Sequence, residues 1–279
     1  MNSGILSYGL YVPRRRLQRS SIYEANSWYA PGLSGLANGE KAISNWDEDS
    51  VTMAVEAGRY CLDGIDRTLI ESVSLASTTL PFADRSNAGI AKEALNLSDN
   101  VMSADQTGSL RAATSSLMQS LQNDSTDLCL AADRRKSKVA SIQEMSYGDA
   151  SAAFLTGSGD VIANYLGGYS NTIDFVDHYR ETGADFDYTW EARFVRDEGY
   201  QKILGSTIKS ALAKLEISGN AIDHAVIAVP VKGVPQKLAA VAGMPVEAVA
   251  DPHMATIGDT GVCHPLLMLA MTLQKAKPG

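Results

Sequence analysis

The chain has 279 residues, 45% of them apolar and 20% charged, a soluble globular composition with room for about two domain-sized units and a large core. Its formal net charge is −8, so the basic footprint of a nucleic-acid binder is missing. Three cysteines, none in a CxxC pair, exclude a disulfide framework, and no apolar run reaches the ~18 residues of a membrane span. The start MNSGILSYG lacks the pattern of a signal peptide, so the expected compartment is the reducing cytoplasm.

Residues 3–12 read as a strand, stopped by Pro13 and followed by Arg14, Arg15 and Arg16. Residues 17–46, with Pro31, Gly32, Gly35 and Gly39, read as irregular. Asp47, Asp49 and Ser50 offer N-caps for a helix over 50–63, where Val51, Ala54, Val55, Gly58 and Leu62 fall at helical spacing. The pattern then predicts a strand over 70–78, a helix over 86–95 and a strand over 102–106. A small-residue helix over 110–122 and a buried strand over 128–132 follow.

The second half repeats this grammar: a helix over 197–216, a strand over 225–229, a helix over 235–242, an extended piece at 248–251 and a helix over 263–275. Ile70 and Ile222 open the matched strands 152 positions apart, and Gln122 and Gln274 close matched helices at the same offset. Thr107-Gly108 and Thr260-Gly261 precede those helices. The constant offset implies a duplicated α/β unit. The expected organisation is a first half at 1–173, an inter-half segment at 174–200 and a second half at 201–279. The middle segment is dense in aromatic and charged residues, as a cap over a site or an exposed, salt-bridged excursion would be.

Five stretches carry a family resemblance: GILSYGLYVPRRRL at the start, NWDEDSVTMAVEA, Arg111-Ala112-Ala113-Thr114, GDASAAFLTG at 148–157, and IGDTGVCHPLLMLA with the closing KPG. With the duplication, they resemble the thiolase superfamily, and within it hydroxymethylglutaryl-CoA synthase-like proteins, relatives of type III ketoacyl synthases. The resemblance implies a five-layer αβαβα fold from two pseudo-symmetric halves, a homodimer, and a coenzyme A thioester as substrate or ligand with no covalently bound cofactor. The family's chemistry uses a Cys at a helix N-terminus as acyl acceptor, and a His and an Asn that bind the thioester or enolate oxygen. Carried over, these positions fall on Leu110, Ala228 and Asp259, so all three identities depart from the pattern. A similar subgroup has Gly-Asp-Thr-Gly with a nearby His and the DFVDHYR segment. It works with an OB-fold/zinc-ribbon acyl-CoA-associated domain, and in some cases a separate thiolase subunit. The family pattern continues past Gly279 into a final strand, expected here to be missing or supplied by another chain.

The remaining chemistry-bearing residues are candidates on this frame. Asp259, His264 and Cys263 cluster after the Thr260-Gly261 turn, where a helix start lends Cys263 thiolate character and His264 can move a proton. The competing readings are a buried structural Cys and a turn-capping Asp. Arg111, Arg134 and Arg135 are candidates for the CoA phosphates, against an internal ion pair or plain surface charge. Ser109 is an acyl acceptor or an N-cap, and Asp105 a strand end. Glu191, Asp197, His178 and Arg193 are further polar groups of the middle segment, and Asp174 with His178 lacks a third ligand, so no metal is expected. Cys61 and Cys129 read as core. Two functions follow as expectations: an acyl-transfer or C–C bond-forming protein with a non-standard site, or a silent subunit that scaffolds a thiolase and an OB-fold partner.

Overall fold

The computed structural model describes residues 3–277. The chain forms two compact units. One runs to Tyr165 and is taken up again over His253–Met271; the other holds Leu166–Pro252 and residues 272–277.

The first unit is built on a mixed sheet. Strand β1 (Ser3–Tyr11) leads to a hairpin of β2 (Arg15–Gln18) and β3 (Glu40–Ile43) enclosing helix α1 (Arg19–Asn26) and a 3-10 turn at Pro31–Leu36. Helix α2 (Ser50–Cys61), strand β4 (Ser72–Ala76), helix α3 (Asn87–Ala94), strand β5 (Met102–Gln106), helix α4 (Ala112–Leu121) and strand β6 (Asp127–Asp133) alternate after it. Short helix α5 (Ile142–Ser146), strand β7 (Ala150–Ser158) and strand β8 (Ala163–Asn164) complete the run. The sheet order is β5-β4-β6-β7-β1-β8. β4 pairs parallel with both β5 and β6, and the remaining neighbours are antiparallel.

The predicted elements of this unit form within a few residues of their expected ends. Asp49 caps α2 through a reciprocal box with Thr52, its carboxylate accepting from Thr52 N at 2.8 Å. Val51, Ala54, Val55 and Leu62 from the α2 stretch enter a core with Leu75, Leu128, Leu130 and Leu155. Asp105 ends β5 by accepting from Asn87 N (3.0 Å) and Ala88 N (2.6 Å) at the start of α3. The region expected to be irregular, 17–46, holds β2, α1 and β3. Their apolar content is slight, α1 burying only Arg19 and Ile22, so no period marks them. β7 was not expected either: eight of its nine residues are buried in an unbroken small and apolar run, without the alternation that signals a half-exposed strand.

The second unit opens with a minimal hairpin of β9 (His178–Tyr179) and β10 (Tyr188–Thr189). A single helical rod follows: α6 (Ala192–Phe194), wider π turns over Val195–Leu204, and α7 (Gly205–Lys214). Helix α8 (Val234–Val241) packs Val234, Leu238 and Ala239 with Ile227 and Val229 beneath Tyr200, Leu204 and Ile208. The strand expected at 225–229 is extended but reaches only one parallel bridge, Ala225 to Val249. Its neighbour is wound into a 3-10 turn at Val246–Ala248, which leaves no ladder to extend.

The duplication is exact in register at its clearest points. Helix α9 (His264–Leu273) starts and ends 152 positions after α4. The 3-10 turns Arg67–Leu69 and Gly219–Ala221 keep the same offset. Gly108 and Gly261 enter the two helices at φ +93° and +63°, the left-handed region that glycine adopts without strain.

A Cβ on Gly9 of β1 would lie 2.1 Å from the carbonyl oxygen of Ala57, so that strand meets α2 through bare backbone. Gly9→Ala is expected to cost about 2–3 kcal/mol by overpacking. Asp49→Ala is expected to cost about 1 kcal/mol through the lost cap. Urea unfolding of both variants beside the parent measures this.

Candidate functional site

Asp133 closes β6, and its carboxylate is buried among five donors. Thr78 N (2.7 Å), Thr78 Oγ1 (3.0 Å), Ser77 Oγ (3.0 Å) and Thr79 Oγ1 (3.1 Å) come from the chain leaving β4. Val262 N (2.9 Å) comes from the turn that starts α9. Nothing in the sequence singled Asp133 out. The one available signal is an acid closing an otherwise apolar strand, which must find donors to be buried there.

Two residues on, Arg135 turns inward. Its Nη2 binds Asp259 Oδ1 at 2.9 Å and the Asp259 carbonyl at 2.7 Å, and its guanidinium lies 3.6 Å from the centroid of the Tyr147 ring. The Arg135 side chain is 2% exposed and that of Asp259 18%. Arg135, expected as a phosphate contact, is thus buried with its Nη2 taken by Asp259, while its Nε has no hydrogen-bond partner.

Asp259 sits at the centre of a tight weave. Its N donates to Ser146 O (2.8 Å), its O accepts from Gly148 N (2.9 Å), and Oδ1 accepts from Gly261 N (3.0 Å). Burial alone would raise its pKa, but Arg135 and then His264 hold it below the usual carboxylate range. Arg135 stays charged against its own burial because Asp259, Tyr147 and Asp133 face it.

His264 and Cys263 are both buried at the start of α9. His264 Nδ1 lies 3.2 Å from Thr260 Oγ1. The Cys263 thiol is pushed far up by burial and by the nearby Asp133 charge, so the helix start does not make it a thiolate. Cys129 is likewise raised by burial, against the hydrogen bonds of Ser120, Ser74 and Ser116 that lower it, and burial raises Cys61 to about 11. The structure thus gathers Asp259, His264, Cys263 and Arg135 into one cluster, packed as a buried network.

The other candidates have surroundings of their own. Leu110 is half-buried before α4, and Ser109 Oγ accepts from Arg111 N at 3.3 Å, closing the turn. Arg111 is exposed at the α4 start. Arg134 is exposed too, its Nη1 donating to Glu48 O at 2.6 Å. Ala228 is half-buried in the extended segment of the second unit. In the middle segment Glu191 caps the helical rod through Arg193 N and Phe194 N, Asp197 pairs with Arg196, and His178 Nδ1 meets Asp177 Oδ1 at 2.8 Å. Among the described residues no group of three or more His, Cys, Asp or Glu is arranged to hold a metal ion, and no helix is long and apolar enough to cross a membrane.

The depressed Asp259 pKa sets a pH signature. Its ion pair contributes stability above the unfolded-state value of about 3.9, and that contribution is lost as pH falls through the lower folded-state value. Asp259→Asn is expected to lose about 2–3 kcal/mol at neutral pH, with the gap to the parent closing only in acid below that value. Chemical denaturation across pH measures it. A thiol reagent at about pH 8 is expected to label no cysteine of the folded protein and all three cysteines once it is unfolded.

No protein-family model matches the chain. Among curated proteins it is 31% identical over 290 residues to a hydroxymethylglutaryl-CoA synthase of Methanosarcina barkeri, covering 100% of this chain and 83% of that protein. Among solved structures it superposes on OleA of Xanthomonas campestris with bound lauric acid and lauroyl-CoA. The TM-score is 0.85 at 17% identity, over 100% of this chain and 93% of that one. MvaS in complex with 3-hydroxy-3-methylglutaryl coenzyme A gives 0.77 at 15% identity, over 96% and 76%. The fold is therefore the thiolase-like α/β fold of these proteins.

Proposed function

The chain belongs to the hydroxymethylglutaryl-CoA synthase family, and on that premise we propose that it binds a coenzyme A thioester and acts in acyl transfer or C–C bond formation. The observation that carries this reading is the match to a synthase along the whole chain. The likeness of fold to proteins captured with lauroyl-CoA and with a hydroxymethylglutaryl thioester supports the same substrate class. The silent-scaffold alternative gains nothing from these relatives, which are named as synthases.

The site of this chain shapes the proposal. With all three thiols buried and held protonated, the bound acyl group stays on coenzyme A and is not passed to a cysteine. Asp259, locked by Arg135, fixes the turn between Gly258 and Gly261 and is a positioning residue in this reading. Arg111 and Arg134 are exposed cations at the start of α4 and just after β6, and we assign them to the phosphates of coenzyme A. A second copy of the chain, and an OB-fold/zinc-ribbon subunit, belong to the same proposal.

Calorimetric titration with acetyl-CoA and acetoacetyl-CoA tests it. Saturable binding is expected, weakened about tenfold or more in Arg111→Glu with Arg134→Glu, a change of about 1.4 kcal/mol or more. Intact mass after incubation is expected to show no acyl adduct. Absence of binding by any acyl-CoA would remove the proposal, and an adduct on Cys263 would replace its non-covalent form.

A further inference from the structure

The hairpin of the second unit is dressed the wrong way round for a solvated surface. A half-buried sheet normally turns its apolar side chains in and its polar ones out. Here the Arg180–Asp187 ion pair (2.7 Å) lies on the covered side, the Asp187 side chain only 3% exposed. The aromatic residues face out: Tyr179, Phe186, Tyr188 and Trp190 are 43–55% exposed. Three of them are in ring contact. Tyr179 and Tyr188 are cross-strand partners with ring centroids 5.2 Å apart, and Trp190 meets Tyr188 edge-on at 6.2 Å. Ile173, Val176 and Phe194 add exposed apolar area nearby in the sequence, Phe194 stacking on Phe175 at 5.3 Å.

The charge around this surface is one-sided. Between Asp174 and Tyr200 there are eight Asp or Glu and three Arg, a net of −5 within a chain whose total is −8. Asp174 and Glu181 are exposed and flank Tyr179 in the sequence, five residues before it and two after. A contiguous exposed aromatic patch rimmed by charge marks an interaction surface, and Tyr and Trp are enriched at the centres of protein interfaces. The acidic rim chooses among occupants. Nucleic acid and anionic lipid are repelled, and a second copy of this chain would bring the same negative rim against itself.

We propose that the outer face of the 177–190 hairpin is a docking surface for a different polypeptide, one presenting an apolar centre rimmed by lysine or arginine. Tyr188 and Trp190 anchor it, and Asp174 and Glu181 steer it. This inference is independent of the thioester reading, since neither Arg111 nor Arg134 takes part.

The test uses the full chain in the cells that make it. A photoreactive phenylalanine analogue replaces Tyr188, and in a control replaces Tyr60, an aromatic residue equally open on α2. A heterologous polypeptide crosslinked at 188 and not at 60 is expected. Purified, it should bind the parent chain with an affinity that falls tenfold or more between about 50 and 300 mM salt. The same loss is expected in Asp174→Lys with Glu181→Lys, a pair of exposed changes that leaves the hairpin ladder intact, with an unchanged melting curve as the check on folding. Four outcomes overturn the proposal: no crosslink at 188, a crosslink to lipid or to a second copy, a crosslink to a later segment of a longer version of this chain, or binding indifferent to salt and to charge reversal. Acyl-CoA titration of the charge-reversed variant is expected to match the parent, so failure here and failure of the thioester reading are told apart.

Discussion

Five hydrogen bonds converge on one carboxylate, that of Asp133, and the arrangement of the first unit hangs on them. A buried carboxylate without partners is too costly to keep, so the donors must be delivered to it by the fold. Four come from the residues that leave β4, the parallel neighbour of β6, and the fifth from the turn that launches α9. The same charge lies close enough to Arg135 to help keep it protonated and close enough to Cys263 to keep its thiol neutral. One acid thereby sets the path of two chain segments and the ionisation of the groups between them.

Around that centre the cluster after Gly258 reads as a lock. Arg135 is clamped between Tyr147 and Asp259, and Asp259 in turn is laced to Ser146 and Gly148. Such a network fixes the order of the turn between Gly258 and Gly261. The proposed phosphate contacts fall instead at the exposed start of α4 and just after β6.

Much of the fold was legible in the sequence because its signals are local. The α2 stretch announced itself through Asp49 and apolar residues at helical spacing, and the duplication through an offset that α4 and α9 keep to the residue. β7 was not legible, since an unbroken buried run carries no period, and β2 and β3 were not, since they bury too little. The site was legible as a neighbourhood only. Asp259, His264 and Cys263 stood out as adjacent reactive types, but whether each is open or spent depends on Arg135, 124 positions from Asp259, and on Asp133, 129 positions from Val262. Pairings of that length leave no trace in composition or spacing.

The first unit is also discontinuous: its last piece, His253–Met271, follows the whole of Leu166–Pro252 along the chain. During synthesis, at about 5–20 residues per second, Asp133 and Arg135 therefore emerge roughly 6 to 26 seconds before Val262 and Asp259 exist to meet them. Through that interval the nascent sheet carries a buried acid short of a donor and a cation without its counter-ion. The end of β6 is completed only when the turn that launches α9 arrives.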